Sequence, residues 1–142
     1  LPALLILLPG FLEMRGNISG SLAARLSSGL FIGALKPKIR KDPIIIGNII
    51  SSVLLVVLTS FVLGIVAYLT GYYFFGITST KIILIAVLAG VLANVIEVPL
   101  TILATFWIFK RGYDPNNIMG PYVTTTGDIV SVLSLMTVIL VV

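Results

Sequence analysis

Apolar runs of about 20 residues or more follow one another along this chain, separated by short connectors that hold most of its charge. A helix rises 1.5 Å per residue, so a run of that length matches the roughly 30 Å hydrocarbon core of a bilayer. Strands of a membrane barrel would instead alternate apolar and polar residues over about ten positions. With 58% of residues hydrophobic, 10% charged and a mean hydropathy of +1.20, the chain lacks the polar residues to cover a water-facing surface. The sequence therefore predicts an all-α fold, a polytopic transmembrane helical bundle in contact with membrane lipid.

Four spans are expected, forming one transmembrane domain over residues 1–142. Residues 1–35 are apolar except for Glu13, Arg15 and Asn17, and as unbroken helix they would run about 52 Å. That is too long for a simple crossing, so a bend or break is expected at Pro9-Gly10 and Gly16-Asn17. Residues 36–43 form a charged connector bounded by Pro37 and Pro43, and 44–69 form the second span. The glycine- and aromatic-rich stretch 71–76 reads as an interfacial connector. Residues 82–109 form the third span, 110–117 the next turn, and 120–142 the fourth span. The chain opens on Leu1 within an apolar segment that has no positive n-region, so it does not read as a signal peptide, and further sequence upstream is expected.

Positive charge sets the orientation. Connectors 36–43 and 110–117 carry six of the nine basic residues, against Lys81 alone between the second and third spans, which places both on the cytoplasmic side. The first span then runs outside to inside and the chain ends outside. The net charge of +4 follows from this topology and is not read as a nucleic-acid footprint.

Polar residues inside the spans fall into rows. Glu13, Asn17, Ser21 and Arg25 recur every four residues, with Gly20, Ala24 and Ser28 alongside. The third span repeats the pattern with Gly90, Asn94, Glu97 and Thr101. In the fourth, Pro121, Thr124 or Thr125, Asp128 and Ser131 are expected to share a face. Each row also has a packing reading: small residues let helices approach closely, Glu13 and Arg15 can form a partly solvated pair near a helix break, and Arg25 can snorkel or pair with an acid. Glu97 reads either as an ion-facing group or as a protonated acid bound to a neighbouring helix. Asp128 is the residue that packing explains least, because an ionised carboxylate near the bilayer centre costs roughly 2.5–3.5 kcal/mol on insertion scales.

The chain contains no Cys and no His, so its intramembrane ligands are all oxygens. Oxygen donors suit hard cations, Mg²⁺ and Ca²⁺ ahead of Zn²⁺ or Cu⁺. Mg²⁺ dehydrates reluctantly and is commonly held by one or two carboxylates with several waters kept. One Asp128 per chain is too few for a cage, whereas two copies on a two-fold axis would supply two.

The string Gly16-Asn17-Ile18-Ser19-Gly20-Ser21-Leu22-Ala23-Ala24-Arg25-Leu26 resembles the glycine–asparagine motif of the pore helix in the MgtE family of magnesium transporters and their eukaryotic solute-carrier relatives. Asp114-Pro115, followed by Gly120-Pro121-Tyr122-Val123-Thr124-Thr125-Thr126-Gly127-Asp128, is similar to that family's last helix. The resemblance implies a multi-pass protein of the cell membrane, a homodimer or tandem repeat, and an ion path between the two halves. It implies that Asp128 holds hydrated Mg²⁺ through its water shell, that the Thr124 carbonyl faces the ion, and that Asp114 lies near the cytoplasmic mouth. The family domain has five spans, so the first is expected to be missing here, and nothing resembles the cytoplasmic sensor domains of bacterial members. Glu13, Arg15 and Glu97 depart from the bacterial pattern and suit the archaeal and eukaryotic branch.

The resulting expectation is Mg²⁺ transport, without covalent chemistry, through a pore lined by the first and last spans. The candidate ion-facing residues are Asp128, Thr124, Asn17, Gly16, Ser21, Thr125 and Asp114, with Glu13, Asn94 and Glu97 as secondary candidates. The alternatives are a proton- or sodium-coupled carrier of a small solute, and a non-transporting assembly subunit whose polar rows are helix contacts.

Overall fold

A computed structural model describes residues 2–142 as four helices: α1 (Pro2–Phe31), α2 (Pro43–Phe75), α3 (Lys81–Lys110) and α4 (Pro115–Val141). In lipid no water is available to the backbone, so each span keeps its hydrogen bonds internal by forming helix. The starts of α2 and α4 follow the same local rule. Asp42 and Asp114 are N-caps whose carboxylates accept from the backbone N–H of Ile44 and Asn116, both at 2.9 Å, and each is followed by a proline. Proline at the first helical position lacks only an N–H that would have no partner there.

Three features differ from expectation, the first being that α4 begins at Pro115, inside the stretch expected as a turn, because Asp114 caps it there. The helix α1 is unbroken through Pro9 and Gly16. Its buried row Ala3, Leu7, Phe11, Met14, Ile18, Leu22 and Leu26 runs past both positions without interruption, so packing along the whole helix outweighs the local break signals. The aromatic stretch after Gly71 is the last turn of α2 rather than a connector. Gly71 stays helical while Gly76, at φ 65°, takes the left-handed conformation that ends the helix, its N–H donating to Tyr72 O at 3.1 Å.

By length and apolarity α2, α3 and α4 can each cross a membrane, so the chain is a multi-pass integral membrane protein. At 30 residues α1 is as long as α3, but Glu13, Arg15 and Arg25 interrupt it. The helices run up and down in a diamond. Both α1 and α3 touch all the others, whereas α2 and α4 do not touch. The α2–α3 seam is built on small residues: an added Cβ at Gly64 would lie 2.8 Å from Ile83 Cα, and Ala67, Ala86, Ala89 and Ala93 are buried nearby. The set Gly20, Ala24 and Ser28 plays no such part within the chain, since Ala24 and Ser28 are exposed and a Cβ at Gly20 would meet only Val123, at 4.0 Å.

Three apolar clusters fill the bundle. The smallest joins Ala23 to Ile108, Met119 and Val123. Of the two larger ones, the first joins Leu7, Phe11 and Ile18 to Val56, Ala86 and Leu135, and the second joins Leu22 and Leu26 to Val98, Ile102 and Phe106. Between them lies a buried layer of polar side chains near the middle of α3.

Candidate functional site

Along the α1–α4 edge the surface is polar, and a pocket of about 280 Å³ opens there. The helix α1 contributes Glu13, Gly16 and Asn17 over Pro9 and Leu12, and α4 contributes Thr124 and Asp128. Five of the candidates from the two ends of the sequence therefore meet in one place. The Asn17 amide donates to Glu13 Oε1 at 3.3 Å, and the Thr124 hydroxyl donates to Gly120 O at 2.9 Å, leaving its lone pairs free. Among the described residues Asp128 has neither a hydrogen bond nor an ion-pair partner, and it is exposed. Nothing lies within 4 Å of a Cβ built on Gly16, so that glycine widens the pocket rather than packing a neighbour.

Ser21 and Thr125 are exposed beside this pocket but do not line it. Asp114 sits at the end of the bundle as the α4 cap, with one carboxylate oxygen already engaged. Ser131 departs from the expected row: it is buried, while Asp128 faces out. Asp128 is turned about 100° from Gly127, whereas Ser131, four residues on, returns to the buried face where Gly127 lies against α3. A Cβ there would meet the Glu97 carboxylate at 3.7 Å.

The secondary candidates Asn94 and Glu97 lie elsewhere, in the buried layer on the other side of α1. Arg15, fully buried, donates from Nη1 to Asn94 Oδ1 at 3.1 Å, and Ser52 donates to the same oxygen at 2.9 Å. Ser19 donates to Glu97 Oε2 at 3.0 Å. No Arg15–Glu97 contact falls within 4.0 Å, and Arg15 Nε and Nη2, Glu97 Oε1 and Thr101 Oγ1 have no protein partner. The Glu13–Arg15 pair expected from sequence does not form, because a two-residue step turns 200° around a helix and puts them on opposite faces. That same step was the signal available for Arg15 and Ser19, each two residues beyond a member of the polar row, whereas nothing in the α2 sequence singled out Ser52. Arg25 pairs with an amide rather than an acid, donating to Asn48 Oδ1 at 2.6 Å.

A bundle of long apolar helices carrying a carboxylate-lined polar face defines a class, the multi-pass membrane proteins with ionisable groups at membrane depth. Comparison with known proteins narrows it. Residues 8–138 match the profile of MgtE, described as a divalent cation transporter, and the chain belongs to that family, one of transporters rather than enzymes. It is 27% identical to solute carrier family 41 member 2 of Gallus gallus over 134 residues, and 26% identical to the protein of that name from Homo sapiens. Each alignment covers 89% of this chain and 23% of the relative, so the chain spans about a quarter of the length of these proteins. No solved structure matches it.

Proposed function

We propose that this chain is a membrane domain of an Mg²⁺ transporter, and that the α1–α4 pocket is one half of a path for the hydrated ion. The observation that carries the reading is the convergence of the exposed side chains of Glu13, Asn17, Thr124 and Asp128 on one pocket at the α1–α4 edge. Left against lipid, each carboxylate would cost roughly 2.5–3.5 kcal/mol, so this face must be covered by protein, water or an ion. A second copy, or a homologous second unit, packed across a two-fold axis would enclose it.

The dimensions suit a water-clad cation. Six waters at about 30 Å³ each occupy about 180 Å³, less than the pocket volume. Two carboxylates per half, four across the axis, supply more negative charge than one divalent ion neutralises, and so attract it without requiring it to lose its shell. The Thr124 lone pairs and the Asn17 carbonyl accept from the ion's waters, while Gly16 leaves room for them. Asp114 stands at the end of the bundle that bears the basic connectors, where an acid offsets their repulsion of an arriving cation.

Full-length protein in liposomes loaded with a Mg²⁺-sensitive dye tests this. Asp128→Asn, nearly isosteric and exposed, is expected to abolish Mg²⁺ uptake while the protein elutes as the wild type does on size exclusion. Wild-type uptake by that variant would overturn the proposal.

A further inference from the structure

At the end of the bundle bearing the basic connectors, the segment after α1 folds back over the outer face of α3. It leaves an apolar groove of about 540 Å³ floored by Leu103 and bounded by Pro37, Ile39, Trp107, Tyr122 and Lys110. A second recess of about 330 Å³ shares Ile39 and Leu103 with the first and extends between α2 and α3 to Val53 and Asn94. The two form one channel along α3 from Lys110 to Asn94, about 24 Å at 1.5 Å per residue. Lys81 to Lys110 is about 43 Å, which matches a whole bilayer with its headgroups, so Asn94 is near the midplane and the channel has the depth of a single leaflet.

Charge at the mouth identifies the occupant. Lys36 and Lys38 flank the lining residues Pro37 and Ile39, and Lys110 itself lines the groove. Arg111 stacks over the Trp107 ring at 4.9 Å from its centroid. The one ion pair among the described residues, Arg40–Asp42, involves none of these lysines, and Asp114 is engaged as a helix cap. We propose that this channel is a binding site for an anionic phospholipid of the cytoplasmic leaflet. One acyl chain lies along Leu103 toward the midplane, the phosphate sits among Lys36, Lys38 and Lys110, and Trp107 marks the headgroup boundary. The site is separate from the α1–α4 pocket and does not depend on what that pocket carries.

Native mass spectrometry of the full-length protein, released from micelles containing equal phosphatidylglycerol and phosphatidylcholine of matched chains, tests the assignment. Each basic side chain near an anionic group favours it about five-fold, so retained phosphatidylglycerol should exceed phosphatidylcholine by at least about ten-fold. The triple variant Lys36→Gln, Lys38→Gln, Lys110→Gln should lose that preference. Leu103→Trp, an exposed position that fills the junction of the two recesses, should lose both lipids with an unchanged melting curve. Equal retention of the two lipids by the wild type, persistence of the preference in the triple variant, or undiminished retention by Leu103→Trp would each overturn it. So would a purified wild-type chain that carries no lipid because a protein partner covers the groove.

Discussion

Neutralising Arg15 and Glu97, singly and together, measures whether these two buried groups stabilise each other across more than 4.0 Å. With Arg15→Gln, Asn94 Oδ1 still accepts from Ser52, so that acceptor is not orphaned. If Glu97 is ionised, the loss falls instead on that carboxylate, left buried with the Ser19 hydroxyl as its hydrogen-bond donor. Removing one member of a buried charged pair typically costs 3–5 kcal/mol. The groups stand more than 4.0 Å apart, which caps their direct coupling at about 4 kcal/mol for an effective dielectric near 20. Hydrogen bonds between neutral side chains in membrane helices couple by only about 0.6 kcal/mol on average, so the two explanations differ measurably. Each single variant should therefore destabilise by about 3 kcal/mol, and the double variant should cost about 2–3 kcal/mol less than the sum. Reversible unfolding in mixed detergent and SDS micelles, followed by far-UV circular dichroism, supplies the four free energies. Additivity within about 0.5 kcal/mol would refute the view that these charges stabilise each other.

Asn17→Ala, which removes the donor to Glu13 Oε1 and one water acceptor, should reduce Mg²⁺ uptake by less than Asp128→Asn does in the same liposome assay; equal losses would contradict the ranking. Asp114→Asn keeps a good helix cap, so thermal melting should be unchanged while uptake falls in low-salt buffer. Asp114→Ala should in addition destabilise by about 1 kcal/mol, and a fall in uptake confined to the alanine variant would assign the residue to capping alone. Gly64→Leu should drive α2 from α3, costing at least about 1–3 kcal/mol by overpacking in the SDS unfolding assay, because the obstructing atom is the Ile83 backbone.

The number and order of the helices were legible because bilayer thickness converts into residue count, whereas the extra turns of α2 and α4 lie beyond the apolar runs that the count used. The continuity of α1 was not. Pro9 and Gly16 are genuine local break signals, and what defeats them is a row of buried contacts to three other helices, visible only once those helices are placed. The convergence of Asn17, Gly16, Thr124 and Asp128 was legible from motif and spacing together, and the arrival of Glu13 in the same pocket follows from the four-residue step to Asn17. Asn94 and Glu97 were grouped with them because a polar row in one helix looks alike whether it faces a pore or a neighbour. Which partner it meets depends on the rotation of α3 about its axis, and no residue within α3 fixes that rotation alone.

Adjacent residues of α1 serve both layers. Glu13 and Asn17 face the pocket, while Arg15 and Ser19 face the buried polar layer, and on α4 Asp128 faces out where Gly127 closes over Glu97. A rotation of α1 large enough to remove Glu13 and Asn17 from the pocket would also break the Arg15–Asn94 and Ser19–Glu97 hydrogen bonds. Bonds to charged groups contribute about 1.5–3 kcal/mol each, and in this dry layer their loss would leave further buried donors and acceptors beside those already unpartnered. These penalties add to the cost of displacing the buried apolar row of Leu7, Phe11, Leu22 and Leu26. The buried polar layer thus helps give the polar face of α1 a defined angle, and the arrangement of the pocket depends on residues that never touch it.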